Sequence, residues 1–255
     1  MSGTVDGTIL ITGASSGIGE ALARHYAAPG ATLALTGRDP ARLEAVAAAC
    51  RAAGAVVLAE AIEVTDRAAM AVFAQRAEAL APLALVIANA GISAGTGSGS
   101  EPPEQARRIL AVNVEGVLNT VEPALALMRP RRRGQLALMA SLAAFRGFPG
   151  APAYSASKAF VKVWGEGLRG HLAARGIGVT VICPGFVRSR MTAVNRFRMP
   201  LLWTAERAAR RIARGLARNR ARIAFPFPLY FLVWLVGTLP TWATDRLLRA
   251  LPEKT

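Results

Sequence analysis

The sequence predicts an α/β fold in which one parallel sheet is covered by helices on both faces. Short apolar runs of strand length alternate with longer alanine-rich segments of helical pattern, and glycines mark many turns. Strands buried on both faces are continuous apolar runs, and helical crossovers connect them. The 255 residues suffice for one such domain with a large core and are few for two. We therefore expect residues 1–255 to form a single, doubly wound domain.

The predicted elements alternate along the chain up to the sixth strand. The apolar runs predict strands at 8–12, 31–36, 56–60, 83–88, 135–140 and 179–183. Helical patterns predict helices at 20–28, 40–53, 68–80, 104–128, 154–175 and 205–222. Gly30 and Gly54 follow the first two helices, as glycine often does at a helix C-terminus. The glycine- and serine-rich stretch 93–103 is predicted to be a loop.

The formal net charge of +15 raises the hypothesis of a nucleic-acid partner. The charge is concentrated in residues 196–222, where nine arginines accompany a single acid, Glu206. A solvated helix face explains such a run, and its predicted helical part, 205–222, has no aromatic residues interleaved with the basic ones as along a nucleic-acid groove. We therefore expect no nucleic-acid partner.

The two cysteines, Cys50 and Cys183, form no CxxC pair, and no cluster of histidine and cysteine has the spacing of metal ligands. This pattern predicts no metal site and indicates a reducing, cytoplasmic compartment. The N-terminus lacks a basic region followed by a long apolar stretch, so no signal peptide is expected.

A glycine-rich turn separates the first predicted strand from the first predicted helix. Gly13, Gly17 and Gly19 are spaced so that the backbone can turn tightly and approach a pyrophosphate closely. The following helix N-terminus offers free N–H groups and a partial positive charge to phosphates. The pattern predicts a Rossmann-like dinucleotide site, with a glycine-rich turn that binds nothing as the alternative.

The end of the second predicted strand indicates which dinucleotide is bound. An acidic residue there would bind the ribose 2′-hydroxyl of NAD. This chain has Thr36-Gly37-Arg38, and a guanidinium can pair with the 2′-phosphate of NADP through its planar fork. Asp39 follows directly, so we expect NADP(H) to be preferred while NAD(H) stays possible.

Tyr154 and Lys158 are spaced to share one face of a predicted helix. A tyrosine with its ordinary pKa near 10 is a poor base at neutral pH, and a neighbouring ammonium would lower that pKa. Such a pair suits general acid/base chemistry. Ser141 follows the fifth strand at the sheet edge where ligands bind, and its hydroxyl could donate to a carbonyl oxygen, or it could be a turn serine.

The chain resembles the short-chain dehydrogenase/reductase family over residues 8–192. Four motifs occur in the family's order. They are Thr12-Gly13-Ala14-Ser15-Ser16-Gly17-Ile18-Gly19, Asn89-Ala90-Gly91, Ser141 with Tyr154-x3-Lys158, and Pro184-Gly185.

The resemblance implies a catalytic role for four residues. Tyr154 would be the acid/base, and Lys158 would bind the nicotinamide ribose and depress the tyrosine pKa. Ser141 would orient the substrate carbonyl, and Asn113 would hold a water of the proton relay, with a buried helix asparagine bonded to backbone as the alternative. The residues expected to contact the cofactor are Gly13, Ser15, Ser16, Gly17, Ile18, Gly19, Arg38, Glu63, Val64, Asn89, Ala90, Gly91, Tyr154, Lys158, Pro184, Gly185 and Val187.

One position departs from the family pattern. The family usually has Asp-Val after the third strand, where the aspartate contacts the adenine, and this chain has Glu63-Val64. The departure puts an adenine contact by Glu63 in doubt and leaves the other motifs intact.

The C-terminal third is expected to hold a substrate lid and an apolar extension. The lid, 186–203, combines apolar residues with arginines, which suits a lipophilic carbonyl compound. Residues 205–222 are predicted to present one basic stripe, formed by Arg207, Arg210, Arg211, Arg214 and Arg218. The extension, 223–255, contains an uncharged aromatic-rich run that is short for a membrane span. It could attach the chain to the surface of the inner membrane, or pack on its own core or a second subunit.

These observations together predict an NADP(H)-dependent oxidoreductase that moves hydride between a nicotinamide and a carbonyl or secondary alcohol of a lipophilic substrate. The alternatives are an NAD-dependent alcohol dehydrogenase, an epimerase or lyase with a tightly held nicotinamide, and a membrane-surface or binding protein that keeps the Rossmann core. The resemblance further implies a homodimer or homotetramer.

Overall fold

A computed structural model of the chain describes residues 5–93, 101–193 and 199–249. Within these residues, seven parallel strands form one sheet in the order β3-β2-β1-β4-β5-β6-β7. The strands β1 to β7 are Thr8–Thr12, Thr32–Gly37, Val56–Ala61, Leu83–Ala88, Gly134–Met139, Ile177–Pro184 and Arg222–Phe225. The predicted α/β class, with a doubly wound parallel sheet, is confirmed.

The helices cover both faces of this sheet. Helices α1 to α6 are Gly17–Tyr26, Pro40–Ala52, Arg67–Leu80, Pro103–Leu110, Gly116–Arg131 and Pro152–Ala173. Helices α7 to α10 are Arg190–Ala193, Ala205–Leu216, Phe227–Thr238 and Thr241–Arg249. Because strand side chains alternate between faces, Leu10 of β1 joins the core under α3, α5 and α6. Ile9 and Ile11 join the core under α1, α2 and α8.

The strand order reverses between β1 and β4. From β1 the chain moves outward to β2 and β3, and then returns to place β4 on the other side of β1. In open α/β sheets, ligands bind beyond the carboxyl ends of the strands at such a switch point. The loops after β1 and β4 therefore meet at the edge where a ligand is expected.

The helix predicted over 205–222 is wrong over its last six residues. Helix α8 ends at Leu216, Asn219 has a φ of +43°, and Arg222–Phe225 form β7 beside β6. The apolar residues that α8 buries on the sheet end with Leu216, and the next five residues, 217–221, are all exposed. A left-handed asparagine just after a helix is a common way to end it.

Helix α8 does have the predicted amphipathic pattern. Ala208, Ala209, Ile212 and Leu216 are buried, whereas Arg207, Arg210 and Arg214 are exposed. This confirms the basic stripe within the helix, although Arg218 lies beyond its end. The stripe faces away from the sheet because its neighbours on the helix fill the core.

The single long helix predicted at 104–128 is interrupted. Residues Ala111–Glu115 form a π-helical turn between α4 and α5, and Asn113 lies within it. Such π-turns are often found at functional sites. Periodicity did not reveal this turn, because the shift of phase occurs within only five residues and is hard to distinguish from ordinary variation in an apolar pattern.

The C-terminal helices pack on a different face of the sheet from α8. Val233 of α9 joins the core under α6, whereas α8 packs beside α1 on the opposite face. Among the described residues, no helix is both long and apolar enough to cross a bilayer.

The turn between α6 and β6 provides a test of this packing. Gly176 has a φ of +71°, and a Cβ added there would lie 2.2 Å from the Arg132 carbonyl oxygen. We expect Gly176→Ala to lower the free energy of unfolding by about 2–4 kcal/mol, from left-handed strain and this clash. Gly170, in α6, has open space around it. Gly170→Ala should instead raise stability by about 0.5–1 kcal/mol. Urea unfolding followed by circular dichroism measures both, and equal stabilities of the two variants would contradict the described turn.

Candidate active site

A cavity of about 910 Å³ lies beyond the carboxyl ends of the strands, at the switch point. Residues from each of the four sequence motifs line it: the β1–α1 turn, the segment after β4, Ser141 with α6, and the segment after β6. The sheet topology thus brings together motifs that are far apart in the sequence.

The β1–α1 turn is shaped by glycines that leave no room for side chains. Gly13 and Gly17 have φ values of +66° and +59°. A Cβ on Gly19 would lie 2.2 Å from the Gly13 carbonyl oxygen. Ser16 precedes α1 in an extended conformation, and its side chain does not cap the helix. The first N–H groups of α1 therefore suit a pyrophosphate, as helix N-termini in such turns do.

Asn89 fastens this turn to the end of β4. Its side-chain amide donates to the carbonyl oxygens of Thr12, at 2.9 Å, and Gly13, at 3.3 Å. In return, the Thr12 hydroxyl accepts from the backbone N–H groups of Asn89 and Ala90, each at 3.1 Å. The Asn89-Ala90-Gly91 motif therefore joins two adjacent strand ends through four hydrogen bonds.

The adenosine end of the cavity is lined by Arg38, Arg42, Ile62 and Val64, and by Ser15 of the turn. The absence of a side chain at Gly37 allows the end of β2 to pack closely against Ser15, because a Cβ there would lie 2.9 Å from the serine hydroxyl. These neighbours combine two basic side chains with two apolar ones.

Two acidic residues near this end are engaged with arginines. Asp39 caps α2 by accepting from the Arg42 N–H at 2.9 Å, and it pairs with the Arg42 guanidinium at 2.7 Å. Glu63 lies 4.0 Å from the Arg38 guanidinium, with its side chain 53% exposed, and is not among the lining residues. Arg42 was not singled out from the sequence, although its position three residues after a capping aspartate places it on the same helix end.

The catalytic candidates lie on adjacent elements. Ser141 follows β5, accepts from the Ala143 N–H at 3.1 Å and forms a hydrogen bond with the Tyr154 side chain. Lys158, only 3% exposed, donates to the Met139 carbonyl oxygen at 2.9 Å. Its ammonium lies 5.9 Å from the centroid of the Tyr154 ring. These three side chains therefore share one wall of the cavity.

Asn113 is held by the chain that follows β4. Its side-chain oxygen accepts from the Ile92 N–H at 2.8 Å. Its side-chain amide donates to the Ile92 carbonyl oxygen and to the Ser157 hydroxyl, each at 3.0 Å. A Cβ on Gly91 would lie 3.1 Å from both the Asn113 side-chain oxygen and the Lys158 nitrogen. Asn113 is thus a buried asparagine that forms hydrogen bonds with the backbone, as the alternative predicted. It also lies next to Lys158.

The pKa of Tyr154 differs from the expectation. Burial raises it, and the hydrogen bond with Ser141 opposes that rise. The predicted lowering by Lys158 is therefore not found, because the lysine is directed at a backbone oxygen and desolvation outweighs its charge. Burial also lowers the pKa of Lys158 itself to about 8, a shift that the nearby Cys183 thiol opposes. A tyrosine that keeps its proton is suited to donate one.

Glu101 caps the catalytic helix and was missed in the sequence. Only 8% exposed, it accepts from the N–H groups of Ala153 at 2.5 Å and Tyr154 at 3.3 Å. The residue at the helix start, Ala151, has no side chain able to cap. Helix α6 therefore takes its cap from a residue distant in sequence, which no local capping pattern could reveal.

The substrate side of the cavity is apolar and is built from two segments. Phe186, Val187 and Met191 of the predicted lid line it, whereas residues 194–198 of that lid lie outside the described residues. Trp203, at the end of the lid, stacks on Phe225 at 4.8 Å instead. The second segment is α9, whose inward residues Leu229, Leu232, Val233 and Val236 line the cavity. The sequence indicated only an apolar run there.

The site shows no metal-binding cluster of histidine, cysteine or acidic residues among the described residues. The buried Nε of Arg42 has no hydrogen-bond partner in the described part of the chain, and the glycines of the β1–α1 turn leave a cradle that a Cβ would fill. Both observations fit a bound dinucleotide.

Comparison with known proteins agrees with this geometry. A family model described as short chain dehydrogenase matches residues 7–199. An uncharacterized oxidoreductase of Myxococcus xanthus is 39% identical over 246 residues, which cover 96% of this chain and 97% of that protein. An uncharacterized oxidoreductase of Mycobacterium tuberculosis is 35% identical over 251 residues, which cover 96% of this chain and 99% of that protein.

Two solved structures resemble the whole chain. A short-chain dehydrogenase/reductase from Burkholderia phymatum in complex with NAD has a TM-score of 0.83 at 25% identity, covering 99% of this chain and 98% of that one. A short-chain dehydrogenase from Sphingobium yanoikuyae in complex with NADPH has a TM-score of 0.79 at 26% identity, covering 98% of each chain.

The buried lysine predicts a pH-dependent stability. The unfolded chain holds the Lys158 proton up to its ordinary pKa of 10.5, whereas the folded chain loses it at about 8. Between these values the unfolded state binds more protons, so the free energy of unfolding rises with pH, by up to about 3 kcal/mol. Lys158→Met removes this contribution. Its stability relative to the wild type should be highest below pH 8 and decline toward pH 10.5 in urea titrations. Parallel pH profiles of the two proteins would contradict the burial of the charge.

Proposed function

The chain belongs to the short-chain dehydrogenase/reductase family, and we propose that it is an NADP(H)-preferring member that interconverts a carbonyl group and a secondary alcohol in lipophilic substrates. Family membership makes it an oxidoreductase that uses a nicotinamide cofactor. The observation that supports the specific proposal is the hydrogen bond between Ser141 and Tyr154 in the cavity wall, with Lys158 beside them.

In the reductive direction, the Ser141 hydroxyl donates a hydrogen bond to the substrate carbonyl oxygen and holds it next to Tyr154. The nicotinamide, when bound, supplies the hydride that the carbonyl carbon receives. Tyr154 gives its phenolic proton to the carbonyl oxygen as that oxygen gains negative charge, and the raised pKa keeps this proton in place beforehand. Oxidation of the alcohol reverses both transfers.

Lys158 and Asn113 support the phenolate that proton donation leaves behind. The Lys158 ammonium would bind the nicotinamide ribose. At 5.9 Å from the centroid of the Tyr154 ring it offers a positive charge to the phenolate once the proton has left, although it does not lower the pKa of Tyr154 beforehand. Asn113 fixes the Ile92 backbone and the Ser157 hydroxyl next to this lysine. With a pKa near 8, Lys158 can also pass on a proton at neutral pH.

The preference for NADP(H) is supported by the charges at the adenosine end. Arg38 and Arg42 both line the cavity there, and Asp39 is occupied as the cap of α2. Two guanidinium groups can bind the 2′-phosphate, whereas no carboxylate is directed at a ribose hydroxyl among the described lining residues. The NAD complex of the Burkholderia protein keeps an NAD-dependent dehydrogenase as the second candidate.

The preference for lipophilic substrates is supported by the walls around Ser141 and Tyr154. Phe186 and Met191 of the lid and Leu232 and Val236 of α9 face the cavity with apolar side chains. Transfer of apolar substrate surface from water to these walls favours binding by roughly 25 cal/mol per Å².

We further propose a cytoplasmic homodimer or homotetramer. Leu110 of α4, and Phe160 and Val163 of α6, form apolar positions exposed to solvent on the helices that flank the active site. Contact between two subunits would remove these apolar side chains from water, to which a monomer exposes them.

The role of Tyr154 can be tested by the removal of a single oxygen atom. Tyr154→Phe removes the phenolic oxygen and should lower kcat/KM for an aromatic ketone with NADPH by about 10²–10⁴, because proton donation is lost. NADPH affinity should be unchanged. Tyr26→Phe, on α1 and away from the cavity, serves as the matched control. Full activity of Tyr154→Phe would remove the proposed mechanism.

The cofactor preference can be tested at Arg38. We expect Arg38→Ala to weaken NADPH binding by about 10–100-fold, the effect of losing charged hydrogen bonds to a phosphate. NADH binding should change little, and Arg51→Ala, at the far end of α2, should change neither. Fluorescence titration of the wild type and the two variants with each cofactor measures all six dissociation constants. Tighter binding of NADH than NADPH by the wild type would instead favour the NAD-dependent candidate.

Peripheral membrane contact stays a prediction. The basic stripe of α8 and the exposed aromatic residues of α9 belong to opposite layers of the fold, which does not support one membrane-binding face that contains both. Phe227, Phe231 and Trp234 of α9 are nevertheless exposed. If they enter a lipid surface, the wild type should float with anionic liposomes at low salt, and Phe231→Ser should float less. Absence of binding by the wild type would remove the idea.

A further inference from the structure

Helix α9 forms part of the substrate wall and yet is weakly buried. Each of its residues is described, and Val233 alone among them is buried. Leu229, Leu232 and Val236 face the cavity, while the opposite side of the helix faces solvent. A helix with so little buried surface depends on specific contacts to stay in one position.

Tyr230 provides the polar contact of this helix with the sheet. Its hydroxyl accepts a hydrogen bond of 3.2 Å from the Arg222 guanidinium on β7. The second terminal nitrogen of the same guanidinium pairs with Glu166 of α6. Glu166 in turn pairs with Lys162 at 3.2 Å, one helical turn earlier on α6.

An aromatic ring completes this cluster. Phe145, which follows the short 3-10 turn after Ser141, contacts the edge of the Tyr230 ring at a centroid distance of 5.5 Å. The Arg222 and Lys162 cations lie over the Phe145 ring at 5.4 and 5.1 Å. We name Phe145, Lys162, Glu166, Arg222 and Tyr230 the clamp.

The clamp lies directly behind the catalytic residues. Lys162 is one turn after Lys158 on α6, and Phe145 is in the segment that begins with Ser141. Gly237 of α9 also approaches this segment closely, since a Cβ there would lie 2.3 Å from the Phe145 carbonyl oxygen. The clamp thus connects the substrate wall to both elements that hold the reacting groups.

We propose that Tyr230, held by Arg222, is a positioning residue that fixes α9 as a rigid wall and thereby sets the preference for bulky apolar substrates. The inference rests on the proposed carbonyl chemistry. A small carbonyl compound reaches Ser141 and Tyr154 without touching α9, so it needs no clamp. A long-chain or aromatic ketone is bound against α9 and loses affinity when the helix shifts.

The test compares two variants by kinetics and by hydrogen exchange. Tyr230→Phe deletes the hydroxyl and keeps the ring against Phe145. We expect KM for an aromatic ketone to rise roughly tenfold, the loss of one charged hydrogen bond. Both kcat/KM for a small aliphatic ketone and NADPH affinity should be unchanged, and backbone amides of 227–238 should exchange faster. Phe231→Leu, on the exposed side of the same helix, should alter none of these quantities.

Arg222→Met gives an independent check. Because it breaks the same hydrogen bond from the other side, combining it with Tyr230→Phe should raise KM no further than Arg222→Met alone. An unchanged KM and unchanged exchange in Tyr230→Phe would overturn the proposal, as would an equal loss for small and bulky ketones. If the wild type reduces no ketone, the proposed function fails by itself. Hydrogen exchange in 227–238 then still decides whether Tyr230 positions α9.

Discussion

The structure depends on the close approach of the β1–α1 turn to the end of β4. A Cβ on Gly13 would lie 2.9 Å from the Ala90 Cα, and one on Gly19 would lie 2.6 Å from the Asn89 side chain. Glycine at these positions lets the Asn89 amide bond two successive carbonyl oxygens of the turn. The first N–H groups of α1 are thereby aimed across the sheet edge, and the cofactor cradle exists only while this contact holds.

The active site adds charge to the same edge at a cost in stability. Lys158 is almost fully buried, and desolvation lowers its pKa to about 8. The lysine is held by a backbone oxygen rather than by a carboxylate, so its charge stays available to the cofactor and to Tyr154. Tyr154 is half-buried beside it, and desolvation raises its pKa, so it keeps its proton. One buried cation and one protonated phenol on neighbouring turns of α6 are a combination suited to proton donation.

Much of this arrangement could be predicted from the sequence. Most of the first six strands are continuous apolar runs, the edge strand β3 with its Glu60 being more exposed, and apolar runs of that length have few other interpretations. The glycine spacing and the Tyr154–Lys158 pair are short-range features, so they are visible in a linear pattern.

The missed features are those that tertiary contacts decide. Strand β7 has only four residues, begins with Arg222, and is recognisable only by its pairing with β6. Glu101 caps a helix from another part of the chain. The apolar run of α9 indicated burial, and the structure places it partly in a substrate wall that a small clamp holds. The direction of the shift in the Tyr154 pKa also depends on burial. The spacing of Tyr154 and Lys158 in the sequence carries no information about burial.

The central claim is that this site transfers a hydride between a nicotinamide and a carbonyl carbon. The most direct measurement follows the isotope: the purified protein is incubated with an aromatic ketone and NADPH deuterated at the reactive ring carbon. One stereospecific deuterium on the carbinol carbon of the alcohol product, with matching consumption of NADPH, is the result this account predicts. An alcohol product without deuterium, or cofactor binding without any consumption of NADPH across a panel of lipophilic ketones, would contradict it.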